Sequence, residues 1–137
     1  MALLTLDEPP MTAPRPSRGF PPSEFEARLA RAQSLMATQG IGALLLTTEP
    51  DIRWFTGFLT QFWLSPTRPW FVVVPAAGKP VAVIPGIGLD AMRRTWIDDI
   101  RTWSSPNPSD DGISLLADAL WEAAGEGGTV GLPMGPE

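Results

Sequence analysis

The sequence predicts an α/β fold, a three-layer sandwich in which a mixed five- to six-stranded sheet is flanked by helices. Three observations carry this expectation. Apolar residues recur at helical spacing in several stretches, and these alternate with short apolar runs of strand length. The run from Ile41 to Leu46 is apolar at nearly every position, as in a strand covered on both faces. Two further β-rich runs, 70–75 and 80–85, are joined by Ala76-Ala77-Gly78-Lys79, so they pair as an antiparallel hairpin among crossover helices and make the sheet mixed.

In chain order, residues 1–22 form a separate extended arm. Pro9, Pro10, Pro14, Pro16, Pro21 and Pro22 remove backbone donors and fix φ too often for a regular element. Residues 23–137 form the domain. Ser23-Glu24-Phe25-Glu26 has the spacing of a capping box with Ser23 as N-cap, and Phe25, Leu29, Ala32 and Met36 then make one apolar stripe up to a left-handed exit at Gly40. Ile41 to Thr47 is the first strand, expected at the centre of the sheet. Thr48-Glu49-Pro50-Asp51 is turn chemistry that also caps one short helical turn through Trp54, with Asp51 read as the cap, and Gly57 reverses the chain. After the hairpin, Leu89, Met92 and Trp96 predict a helix within 86–98, with Arg93 and Arg94 outward. Residues 100–104 make a short strand. Asp110 or Asp111 then caps a helix whose shared face is Ile113, Leu116, Leu120 and Ala124, and residues 129–132 are the last strand.

Composition excludes several function classes. The 137 residues are 44 % hydrophobic, enough for one domain with a real core. Ten basic against 15 acidic residues give a formal net charge of −5, which leaves phosphate-backbone binding without an electrostatic footprint, so nucleic acid is not an expected partner. The sequence contains neither cysteine nor histidine, which removes disulfides, thiolate chemistry and the commonest general base and metal ligand. The N-terminal Met1-Ala2-Leu3-Leu4-Thr5-Leu6 lacks a basic region before Asp7-Glu8, and the apolar runs are too short to span a bilayer; a cytoplasmic location without membrane contact is expected.

The chemistry concentrates between Asp51 and Trp70. Phe62-Trp63-Leu64-Ser65-Pro66-Thr67-Arg68-Pro69-Trp70 is richer in large rings than a solvated loop, and so reads as a rim or an interface. Phe62 and Trp63 are adjacent, so in an extended chain they face opposite ways and one of them reaches the surface or a partner; Trp70 belongs to the core. Arg68 reads either as a solvated cation or as a site residue. Asp98-Asp99 and Asp110-Asp111 suit caps and turns better than a metal, since sequence neighbours rarely converge on one ion without a third ligand. Pro85-Gly86-Ile87-Gly88 lacks the third glycine and downstream acid of a dinucleotide site.

Taken together, the helix, Gly40-Ile41-Gly42-Ala43-Leu44-Leu45-Leu46-Thr47, then Asp51-Ile52-Arg53-Trp54-Phe55-Thr56-Gly57-Phe58, then Arg68-Pro69-Trp70-Phe71-Val72-Val73-Val74-Pro75 resemble the N-terminal domain of the creatinase, prolidase and aminopeptidase P family. Asp51 stands where the family usually has asparagine, and Trp54 where it has tyrosine. The resemblance spans residues 23–137. It implies a non-catalytic front domain of a metal-dependent Xaa-Pro dipeptidase, aminopeptidase P or creatinase-like hydrolase. It also implies a C-terminal catalytic "pita-bread" domain as partner, which holds two divalent ions (Mn, Co or Zn), and a homodimer. No catalytic residue, cofactor or metal ligand is then expected in this chain. Arg68, with Phe62 and Trp63, is the implied substrate-binding group, reaching the neighbouring subunit's site to hold a carboxylate. The other reading is a free-standing α/β binding or scaffold module.

Overall fold

The computed structural model describes residues 19–134. Most of the proline-rich arm and the last three residues lie outside this range. Among the described residues, five strands form one mixed sheet: β1 (Ala43–Leu46), β2 (Phe71–Pro75), β3 (Val81–Pro85), β4 (Asp99–Trp103) and β5 (Val130–Gly131), in the order β4-β3-β2-β1-β5. β2 pairs antiparallel with both β1 (Leu44 opposite Val74) and β3, whereas β3–β4 and β1–β5 are parallel. β3 and β4 add on one side of β2 and β1 and β5 on the other, so β2 takes the centre, and β1, expected there, lies one place off it beside the two-residue edge β5.

Alternation along the strands divides the core into two layers. Val72, Val74, Ala82, Ile84 and Leu46 face one cluster, with Leu29 and Met36 of α1 (Pro22–Gln39), Ile52 of α2 (Glu49–Thr56) and Met92 of α3 (Leu89–Arg93). Val73, Val83 and Ala43 face the other, with Leu116 and Ala119 of α4 (Ile113–Ala124). Helices therefore cover both faces, and the three-layer sandwich is the observed architecture. Val72, Val73 and Val74 are fully buried, each worth about 2 kcal/mol of apolar transfer.

Several elements differ in detail from expectation. α1 begins at Pro22 with Pro21 as N-cap, so Ser23 is not the cap; Pro22 needs no amide partner and its fixed φ suits the first helical position. The exit at Gly40 has φ 68°, as expected. α2 continues to Thr56, and its N-cap is Thr48 rather than Asp51. The Thr48 hydroxyl accepts from the Asp51 amide at 3.4 Å and donates to the Asp51 carboxylate at 2.8 Å, so Asp51 acts from the third helical position. The expected helix over 86–98 shrinks to a 3₁₀ turn (Gly86–Gly88) and α3, which excludes Trp96. Thr95 ends it by donating to the Met92 carbonyl at 2.7 Å and accepting from the Ile97 amide at 3.2 Å. α4 is capped by Gly112, although the Asp110 carboxylate accepts from the Ser114 amide at 2.8 Å, and Ile113 stays 54 % exposed instead of joining the buried face.

Candidate functional site

The Arg68 region is built from three chain segments. β3 and β4 run parallel and deliver Gly86-Ile87 and Ser104-Ser105 side by side at their carboxyl ends. Antiparallel to β3, β2 starts at that same end, so the loop before it brings Arg68 to the third wall. Arg68, Gly86, Ile87, Thr102, Trp103, Ser104 and Ser105 enclose a cleft of about 350 Å³. Ser105 Oγ donates to the Thr67 carbonyl at 2.6 Å, which ties the loop to the end of β4.

Phe62 and Trp63 do not splay apart. The chain turns at 61–64, where the Ser65 amide bonds to the Phe62 carbonyl at 3.0 Å, and both rings are half-buried against the same core cluster. Trp63 lies 5.6 Å edge-on from Phe58 and 5.9 Å from Trp70, which is buried as expected and donates from Nε1 to the Phe62 carbonyl. The residue that the turn leaves outside is Leu64, 97 % exposed. Arg68 is half-buried, with its guanidinium 5.1 Å from the Phe62 ring centroid and its Nη1 donating to Ser65 Oγ at 2.9 Å. Phe62 and Arg68 thus come together as one unit, while Trp63 supports it from beneath. Ser65 and the serines after β4 escaped sequence reasoning. The Ser65-x-x-Arg68 spacing was a visible signal, whereas Ser105 meets Thr67 only through the sheet.

A second assembly surrounds Arg28. Its guanidinium lies 4.0 Å from the Trp54 ring centroid and 4.6 Å from that of Phe20, donates to the Trp54 carbonyl at 3.0 Å and pairs with Glu24. Arg28, Trp54 and Phe20, with Gly19, Phe25, Arg53, Gly57 and Leu59, line an apolar groove of about 500 Å³. Elsewhere the acidic pairs are used separately: Asp98 meets Lys79 at 2.6 Å, and Asp99 and Glu122 both bond Arg101. Those two carboxylates, Asp99 foremost, push the Arg101 guanidinium further above its ordinary range, and Arg101 in turn holds the Glu122 carboxyl below the usual carboxylate range. Among the described residues no three His, Cys, Asp or Glu side chains gather as a metal-ligand set. Nor is any described helix long and apolar enough to cross a membrane.

Comparison with known proteins places these features in context. The family model described as creatinase/prolidase N-terminal domain matches residues 28–134. Among solved structures, the dipeptidase PepE from Mycobacterium ulcerans is 27 % identical with a TM-score of 0.61, over 74 % of this chain and 27 % of that one. A recombinant prolidase from Thermococcus sibiricus is 18 % identical, with a TM-score of 0.69 over 82 % of this chain and 29 % of its own. The creatinase/prolidase N-terminal domain of an X-Pro dipeptidase from Streptococcus pyogenes has a TM-score of 0.58 at 12 % identity, over 77 % of this chain and 92 % of its own. The chain thus spans less than a third of the length of the first two structures. No curated protein matches the sequence.

Proposed function

The chain belongs to the creatinase/prolidase N-terminal domain family, and from that premise we propose that it is the non-catalytic front domain of a metal-dependent hydrolase of the Xaa-Pro dipeptidase, aminopeptidase P or creatinase type, contributing substrate specificity and dimer contacts. The observation that carries this reading is Arg68, a half-buried cation braced by Ser65 and Phe62 at the rim of a cleft. A substrate carboxylate presented in the neighbouring subunit's active site supplies its counter-charge through a bidentate pair. Phe62 fixes the plane of the guanidinium, and Trp63 holds the turn that carries it. The two divalent ions, Mn, Co or Zn, would be held by a C-terminal catalytic domain and would supply water-activating chemistry there. The whole protein is read as a cytoplasmic homodimer.

The reading frame beyond Glu137 tests the domain assignment: spaced Asp, Asp, His, Glu and Glu are expected there, and an immediate stop codon favours the free-standing module. In the joined protein, Arg68→Gln raises KM for an Xaa-Pro dipeptide by about tenfold with kcat nearly unchanged, as for a lost charge-assisted contact made equally in ground and transition states. An unchanged KM removes Arg68 from substrate binding. The isolated chain, assayed with Mn, Co or Zn, gives no turnover of the dipeptide; turnover would overthrow the domain reading.

A further inference from the structure

Among the described residues, the two cations besides Arg68 that are withdrawn from solvent have acidic partners: Arg28 pairs with Glu24, and Arg101 with Asp99 and Glu122. Arg68 is an exception: it is half-buried, its partners are a serine hydroxyl and an aromatic face, and no carboxylate among the described residues lies within ion-pair distance. The cleft it borders is neutral everywhere else, lined by the hydroxyl residues Thr102, Ser104 and Ser105 and by the apolar Ile87, while the Trp103 ring packs into the α4-side core. A guanidinium withdrawn from water without a counter-ion is poorly compensated, and its planar fork is best satisfied by a carboxylate. The cleft is at the small end of ligand sites, large enough for a carboxylate on a short apolar body.

We propose that this cleft is itself a binding site for a small monocarboxylic acid, in which Arg68 takes the carboxylate, the hydroxyls of Ser104 and Thr102 supply further donors, and Ile87 covers the apolar part of the ligand. The proposal rests on Arg68 as a carboxylate anchor, but it requires neither a catalytic domain nor a second subunit. It is therefore tested on this chain alone, by amide and Arg side-chain NMR with cyclopentanecarboxylate, cyclopentanecarboxamide and inorganic phosphate at matched ionic strength. Cyclopentanecarboxylate is expected to shift Gly86, Ile87, Ser104, Ser105 and the Arg68 Nε signal in a saturable way, with the amide silent and phosphate weaker. Arg68→Gln weakens binding by about tenfold or more, as expected for the loss of a charge-assisted pair. Ile87→Trp, at a position 55 % exposed, fills the cleft with Arg68 intact and also abolishes the shifts. Absence of saturable shifts, an equal response to the amide, or an equal response to phosphate overturns the proposal. If this site fails while Arg68→Gln still raises KM in the joined protein, the arginine serves only across the subunit boundary.

Discussion

At the scale of single residues, the charged groups that matter are those whose stems are buried. Arg28 lies at the buried edge of α1 next to Leu29, and a stripe drawn through Phe25, Leu29 and Met36 does not reveal that an arginine shares it. The guanidinium is accommodated because Phe20 and Trp54 flank it and the Trp54 carbonyl accepts from it, which spares that carbonyl and the cation from desolvation without a partner. Arg28→Ala is expected to cost about 2 kcal/mol, with Arg28→Lys in between because an ammonium lacks the planar stack. Urea unfolding of the two variants measures this, and a midpoint unchanged in Arg28→Ala would show the stack to be energetically empty. Gly112 illustrates the opposite limit. It has φ 80°, and a Cβ there would meet Trp103 Nε1 at 2.4 Å, so the strain of any other residue falls on a buried ring. Neither contact has a local sequence signal: Arg28 and Trp54 lie 26 residues apart, and Gly112 meets Trp103 only because the loop between β4 and α4 folds back.

At the scale of elements, local chemistry was legible where it is self-contained and misleading where a neighbour competes. The Gly40 exit and the hairpin through 76–79 depend on residues within a few positions, and both form as read. The cap of α2 moved from Asp51 to Thr48 because both residues have the right chemistry and only the backbone decides which stands outside the helix. The tie between α4 and β4 has no local signal either: Glu122 and Arg101 meet at 2.6 Å across 21 residues. Arg101 lowers the Glu122 pKa on folding, so the folded state binds that proton less readily than the unfolded chain does. The contribution is therefore fully present above the ordinary carboxylate range, near pH 4.3, and is lost as pH falls through the lowered folded value. Wild type should be slightly more stable than Glu122→Gln at neutral pH, with the difference vanishing in acid. Thermal unfolding across that range checks the sign; a difference that grows in acid would rule out this linkage.

At the scale of the whole molecule, the proposed dimer raises the question of which surface would meet a second subunit. The density of rings between Trp54 and Trp70 points to an apolar surplus, but the sheet and α1–α3 absorb most of it: Phe58 and Trp70 are buried, and Phe62 and Trp63 are half-buried against them. The extended-chain reading of Phe62 and Trp63 fails, because adjacent rings separate in an extended chain and not around a turn. Leu64 at the tip of that turn carries the exposure instead, next to the loop that presents Arg68. A lone exposed leucine is unremarkable, but in the proposed dimer it is the side chain placed to enter a neighbour. Trp63→Ala should then lower stability by about 2–3 kcal/mol through the cavity it leaves beside Phe58 and Trp70. Leu64→Ser should leave the unfolding midpoint unchanged and weaken self-association. Light scattering over a concentration series, with thermal unfolding of both variants, separates the two effects. If Leu64→Ser associates as wild type does, or wild type stays monomeric throughout, the loop does not form the subunit contact, and Arg68 is left to the cleft of its own chain.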